Sequence, residues 1–219
     1  MRRSKVCLMA AVAMLGTIAA GGSQPLTLAD EPAGNLLRNS SFEERSGPEK
    51  PGEPWGKGDL DGISRSPFAH WGYSGFWDNG DYDIKLGRGR TGKLCARLVC
   101  REKGRGGICS EALRVPPGTK LQFRGWFKAF GAKGGGQVNF EGDPGDGWAS
   151  IDLPARSDYD WTEVAGTVTV PMPKNSRGGD VKIYVFIYTR SYGELWIDDV
   201  TLTAVAKLSG PQPACRAGE

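Results

Sequence analysis

Between Asn35 and Val205 the apolar residues come in short runs, almost all bounded by Gly, Pro, Asn or Asp, and no segment sustains a 3.6-residue period. Runs of this kind make strands, because an extended backbone sends successive side chains to opposite faces. The pattern predicts strands over residues 93–100, 108–115, 121–130, 137–141, 161–170, 181–189 and 194–204. Pro116-Pro117-Gly118-Thr119 reads as a turn, with Pro fixing φ and Gly free to take positive values. Pro171-Met172-Pro173 closes a strand, since proline cannot donate to a ladder. The 33 Gly and 14 Pro among 219 residues supply many such breaks. A hydrophobic share of 39% with seven Trp still suffices for a core, so the chain is not a low-complexity one. Seven or more strands at this spacing imply an all-β fold, an antiparallel β-sandwich forming one domain over residues 34–205. Residues 206–219 read as a short flexible tail.

The first 22 residues have a different character. A basic start (MRRSK) precedes an apolar run of about fifteen residues from Val6 to Ala20, then small residues, which is the layout of a secretory signal peptide. Cleavage falls anywhere between residues 20 and 29, and the run is too short to span a bilayer of about 20 helical residues. Removal takes Arg2, Arg3 and Lys5 from 28 basic residues and leaves 25 against 25 acidic ones. The formal +3 therefore belongs to the export segment, and a balanced chain points away from nucleic acid and, after signal removal, from membrane surfaces. The expected location is secreted, periplasmic or cell-surface, as a monomer.

Export also changes how cysteines read. With Cys7 removed, Cys95, Cys100, Cys109 and Cys215 remain, an even number in an oxidising compartment. Cys100 and Cys109 flank a predicted hairpin loop, and alternation places both toward the core, so a Cys100–Cys109 disulfide is expected. Cys95 and Cys215 are left over.

The segment VKIYVFIY at 181–188 sets Val181, Ile183, Val185 and Ile187 on one face and Lys182, Tyr184, Phe186 and Tyr188 on the other. The β-branched face suits the core, but an aromatic outer face needs another reason, since that side of a sandwich is usually polar. Gln137, Asn139 and Glu141 alternate with Val138 and Phe140, and Arg124 and Trp126 alternate with Phe123 and Phe127. If these strands are neighbours, rings and planar hydrogen-bonding groups share one face. A sugar ring stacks its C–H face on an aromatic and bonds its hydroxyls to Gln, Asn, Glu or Arg. A shallow open face of this kind suits a neutral polysaccharide. Arg190 follows the aromatic strand, and Trp77 and Tyr82 lie in a Gly-punctuated aromatic stretch at 68–83, which adds recognition candidates on a loop. Trp71 in that stretch is read as an anchor to the core.

The order of the segments NLLRNSSFEE (35–44), GKLCARL (92–98), VPPGTKLQFRGWFKA (115–129), DWTEVAGTVTVP (160–171) and LWIDDVTL (195–202) resembles carbohydrate-binding modules of families four, nine, sixteen and twenty-two. That resemblance implies a galactose-binding-domain-like jelly roll and a non-catalytic role in binding a polysaccharide or glycan. It also implies one structural calcium where the first and last strands meet, held by the Ser41 and Gly92 carbonyls and by Asp198, with Glu43 nearby. Oxygen ligands of this type suit Ca²⁺. In such modules Trp126 can serve packing instead of the ligand. These modules usually accompany a glycoside hydrolase, and no catalytic segment stands beside this one.

Other readings remain open. The stretch GRGRTGKL at 87–94 contains G-x-G-x-x-G and G-x-x-x-x-G-K, but Leu94 stands where a P-loop needs Ser or Thr, and a strand is expected where a helix is required. His70 is the only histidine, which excludes His-rich metal sites. A small jelly-roll hydrolase or lyase would need paired groups. Glu141 is the best carboxylate, with Asp143, Asp146 or Glu194 as partner, and Tyr188, Arg190 and Tyr192 supply part of a lyase set. A structural or adhesion module contacting an envelope protein is the further alternative.

Overall fold

The alternation resolves into twelve strands in the computed structural model, which describes residues 34–46, 64–73, 82–101, 106–132, 135–142, 148–172, 179–189 and 192–205. In chain order they are β1 (Ser64–Arg65), β2 (Trp71–Tyr73), β3 (Tyr82–Arg88), β4 (Leu94–Cys100), β5 (Gly106–Ser110) and β6 (Leu113–Val115). There follow β7 (Lys120–Phe130), β8 (Gly136–Gly142), β9 (Ala149–Asp152), β10 (Tyr159–Thr169), β11 (Val181–Thr189) and β12 (Gly193–Ala204). Trp77 and Arg190 lie outside the described residues, as do the export segment, the tail and Cys215.

Two antiparallel sheets face each other. One orders its strands β1-β2-β5-β11-β8-β9, with β6 also on β11; the other runs β10-β7-β12-β4-β3. On β11 and β7 the inward positions are those the alternation assigned. Val181, Ile183, Val185 and Ile187 of β11 are buried, and so are Phe123 and Phe127 of β7 and Leu195 and Ile197 of β12. Phe123 meets Phe140 of the opposite sheet edge-to-face, with ring centroids 6.0 Å apart, which ties the layers together. The architecture is therefore the expected all-β antiparallel sandwich.

The segment before β1 closes one end. Asn35 Oδ1 accepts the Leu202 amide at 2.8 Å, and the fully buried Phe42 ring lies 5.2 Å from Phe68 and 5.0 Å from Trp71. Trp71 is an anchor to the core, as its neighbours suggested.

Three local outcomes differ from the sequence reading. Residues 82–88 are a strand, beginning within the aromatic stretch that reads as a loop. The expected strand at 108–115 is broken in two. From Cys109 to Leu113 is four residues, yet their partners Phe186 and Ile183 are three apart, so one extra residue bulges out. The bulge reverses the facing, so that Ile108 and Leu113 both point inward and Cys109 points outward with Phe186. That overturns the disulfide. Cys100 lies on β4 of the five-stranded sheet, Cys109 sits on the outer face of the other sheet, and Cys95, Cys100 and Cys109 are free thiols.

Candidate functional site

The ladder between β8 and β11 puts Tyr188 opposite Gln137, Phe186 opposite Asn139, and Tyr184 opposite Glu141, all on the outer face. β9 extends the rows, with Asp152 beside Gln137 and Ser150 beside Asn139. The polar groups bond among themselves. Tyr188 Oη donates to Gln137 Oε1 at 2.7 Å, Gln137 Nε2 donates to Asp152 Oδ1 at 2.6 Å, and Asn139 Nδ2 approaches Tyr188 Oη at 3.4 Å. Tyr184 stacks at a tilt on Phe186, centroids 6.1 Å apart, with the Lys182 ammonium 5.4 Å from its ring centroid. The structure thus unites six of the sequence candidates: Gln137, Asn139, Glu141, Tyr184, Phe186 and Tyr188.

The face is not the open platform the alternation suggested. Phe186 and Tyr188 are each only 4% exposed and Cys109 is fully buried. Burial, and then the Glu141 charge, push the Cys109 thiol well above its ordinary range, so it is not a reactive group. Tyr184, Gln137, Asn139 and Glu141 are half-buried, while Ser150 and Asp152 are exposed. Access therefore lies on the β8–β9 flank.

Arg124, Trp126 and Tyr82 do not join this site. β7 belongs to the five-stranded sheet, so Arg124 and Trp126 face outward on the opposite side of the sandwich. Arg124 pairs there with Glu163 at 3.5 Å, and the Arg90 guanidinium stacks 3.7 Å from the Trp126 ring centroid. In the sequence reading their shared face is conditional on these strands being neighbours, and the crossover between sheets defeats that condition. Tyr82 pairs with Cys100 on β3 and packs against the core. Glu194 also lies on the far face, bonded to Arg97, so it is no carboxylate partner for Glu141. Asp152 is four residues of strand away from Glu141, roughly 13 Å at the usual rise, too far for a hydrolytic pair.

Three of the expected calcium ligands, Glu43, Gly92 and Asp198, come together around the turn between β3 and β4. Asp198 is buried, and its Oδ2 accepts the Arg90 and Thr91 amides at 2.7 and 3.2 Å while its Oδ1 accepts the Asp199 amide at 2.9 Å. Glu43 Oε1 accepts the Lys93 and Leu94 amides at 2.7 and 2.8 Å. Gly92 has φ +57°, and a Cβ there would overlap the Glu43 carboxylate, so only glycine fits. Burial and then Asp199 push the Asp198 carboxyl up to about 7. In a regular strand Asp199 would point to the face opposite Asp198. A bulge at this point instead brings both carboxylates to residues 90 and 91, Asp199 bonding Arg90 Nη1 at 2.7 Å and Thr91 Oγ1 at 2.5 Å. Every described bond to Asp198 and Glu43 comes from a backbone N–H, so both carboxylates lack a bonded cation, and their hard oxygens fit calcium. Among the described residues no three His, Cys, Asp or Glu converge on a metal position, so backbone carbonyls would have to supply most of the shell.

One constellation was invisible in the sequence. Glu111 receives both Arg38 nitrogens in a forked pair and His70 Nδ1 at 3.1 Å. Burial raises the Glu111 carboxyl, but the hydrogen bonds from Arg38 and His70 outweigh it and leave it below the ordinary carboxylate range. These residues are 32 and 41 positions apart in the chain, and only the end-on packing of segment 34–46 brings them together.

The sandwich defines a class of two-sheet antiparallel domain found in proteins of several kinds. A Stig cyclase from Fischerella sp. TAU, in complex with (3Z)-3-(1-methyl-2-pyrrolidinylidene)-3H-indole, superposes with a TM-score of 0.51 at 15% identity, over 78% of this chain and 96% of that one. An arabinose-bound α-L-arabinofuranosidase superposes with a TM-score of 0.50 at 12% identity, over 78% of this chain. The chain spans 26% of that enzyme's length. A family 16 carbohydrate-binding module is a more distant likeness, with a TM-score of 0.41 at 17% identity over 60% of this chain and 92% of that module. No protein-family model and no curated protein matches the sequence.

Proposed function

We propose that this chain is an exported, non-catalytic carbohydrate-binding β-sandwich that holds a glycan on the β8–β9 flank of its seven-stranded sheet. The observation that carries the reading is the bonded set Tyr188–Gln137–Asp152 with Asn139, lying beside the half-buried Tyr184 ring. Planar amides and a carboxylate match vicinal hydroxyls, and a flanking ring takes the apolar face of a sugar. Export is supported by the basic, apolar and small-residue order of residues 1–22. A structural calcium completes the proposal, with Asp198, Glu43 and the Ser41 and Gly92 carbonyls as ligands. It would neutralise the two carboxylates and cross-link the first segment, the turn after β3 and β12.

Affinity-gel electrophoresis against cellulose derivatives, xylan, β-glucan, mannan and host glycans tests the binding claim. Retardation by at least one polymer, abolished by Tyr184→Ala in a folded variant, is the expected result. Mobility unchanged on every polymer by correctly folded protein would refute it.

A further inference from the structure

On the carbohydrate reading above, we infer that the site takes the end of a glycan chain and not its interior. Across the outer face the rows run Asp152–Gln137–Tyr188–Gly107 and Ser150–Asn139–Phe186–Cys109–Gly72. Exposure falls along each row. Asp152 and Ser150 are exposed and Gln137 and Asn139 are half-buried, whereas Tyr188, Phe186, Gly107, Cys109 and Gly72 are all buried. The small residues on β5 and β2 would leave a trough for a chain crossing the sheet, yet that half is closed to solvent. A Cβ at Gly107 would come within 2.9 Å of Tyr188 Cβ across the β5–β11 ladder, so the tyrosine stands close against its neighbour and leaves no gap between the strands.

A glycan lying across the strands therefore meets a wall at β11. The accessible strip covers the two strands β9 and β8 at about 4.8 Å spacing, enough for roughly two sugar rings. At the foot of the wall stand Gln137, Asn139 and Asp152, which offer both donors and acceptors. A terminal ring carries a hydroxyl that is substituted in an internal unit, and this cluster is placed to bond it.

Calorimetric titration with cello-, xylo-, manno- and laminari-oligosaccharides of two to six units, beside the parent polymers, tests the inference. Affinity for the recognised series should level off at two or three units, and the disaccharide should compete with the polymer. Gln137→Ala and Asn139→Ala, at half-buried positions, should each weaken binding about ten-fold in variants whose cooperative melting transition shows them folded. An affinity that keeps rising more than about ten-fold between three and six units, or a disaccharide that fails to compete where the hexasaccharide succeeds, overturns end recognition and leaves the carbohydrate reading standing. Binding of no oligosaccharide and no polymer overturns both.

Discussion

Tyr188 and Gln137 face each other across the β8–β11 ladder, and the phenol donates to the amide oxygen at 2.7 Å. The tyrosine is buried while the glutamine is reachable from outside. The bond therefore couples the packed half of the face to the half that meets a ligand. Tyr188→Phe should cost about 1 kcal/mol of stability, the usual net worth of one hydrogen bond. It should also weaken glycan retention by freeing the Gln137 amide to rotate. Urea denaturation and affinity electrophoresis on the same preparation read the two effects.

Arg124 and Trp126 stand on the opposite sheet from the proposed site. Arg124→Ala should leave glycan retention unchanged. Trp126→Ala should leave retention unchanged as well, and should lower stability by at least the ~0.5–1 kcal/mol of an exposed cation–π contact, since Arg90 loses its partner. Loss of retention in either variant would move the site to the five-stranded sheet.

Cys100 and Cys109 occupy different sheets as free thiols. Non-reducing peptide mapping should show no fragment joining them. Cys109→Ser should destabilise by about 1–3 kcal/mol, because a hydroxyl replaces a buried sulfur clustered with Phe186. Denaturant titration of the variant checks this.

Glu111 is held below its ordinary range by Arg38 and His70. A depressed carboxylate contributes stability that is present above the unfolded value of about 4.3 and is lost as pH falls through the folded one. Glu111→Gln should therefore be less stable than the parent at pH 7, and the gap should close in strongly acidic buffer. Urea curves at pH 7 and pH 3 measure the difference.

Calcium bound by the folded chain alone must raise its stability by mass action. The melting temperature should rise with added calcium and fall with chelator. Asp198→Asn should remove that dependence by taking away the buried carboxylate. A transition indifferent to calcium and chelator would exclude the proposed ion.

Much of the architecture was legible because strand alternation is local. Val181, Ile183, Val185 and Ile187 face the core as their spacing predicts, and Tyr184, Phe186 and Tyr188 face away. The short strand β9 was missed, and Asp152 with it, because four residues are too few to display a period. The strand β3 was missed because it follows directly on an aromatic, Gly-punctuated stretch that reads as a loop.

The amino-acid order by itself determined the all-β class, the facing of the long strands and, within single strands, the sets Gln137, Asn139, Glu141 and Tyr184, Phe186, Tyr188, since side-chain direction in an extended chain depends only on neighbours in sequence. Tertiary structure alone decided which strands share a sheet, and so removed Arg124 and Trp126 from the site. It decided the bulge between Cys109 and Leu113 that turned one thiol away from the other, and the closing of the β11 and β5 half of the face. Pairing, register shift and burial arise from contacts between residues far apart in the chain, and strand periodicity carries no record of them.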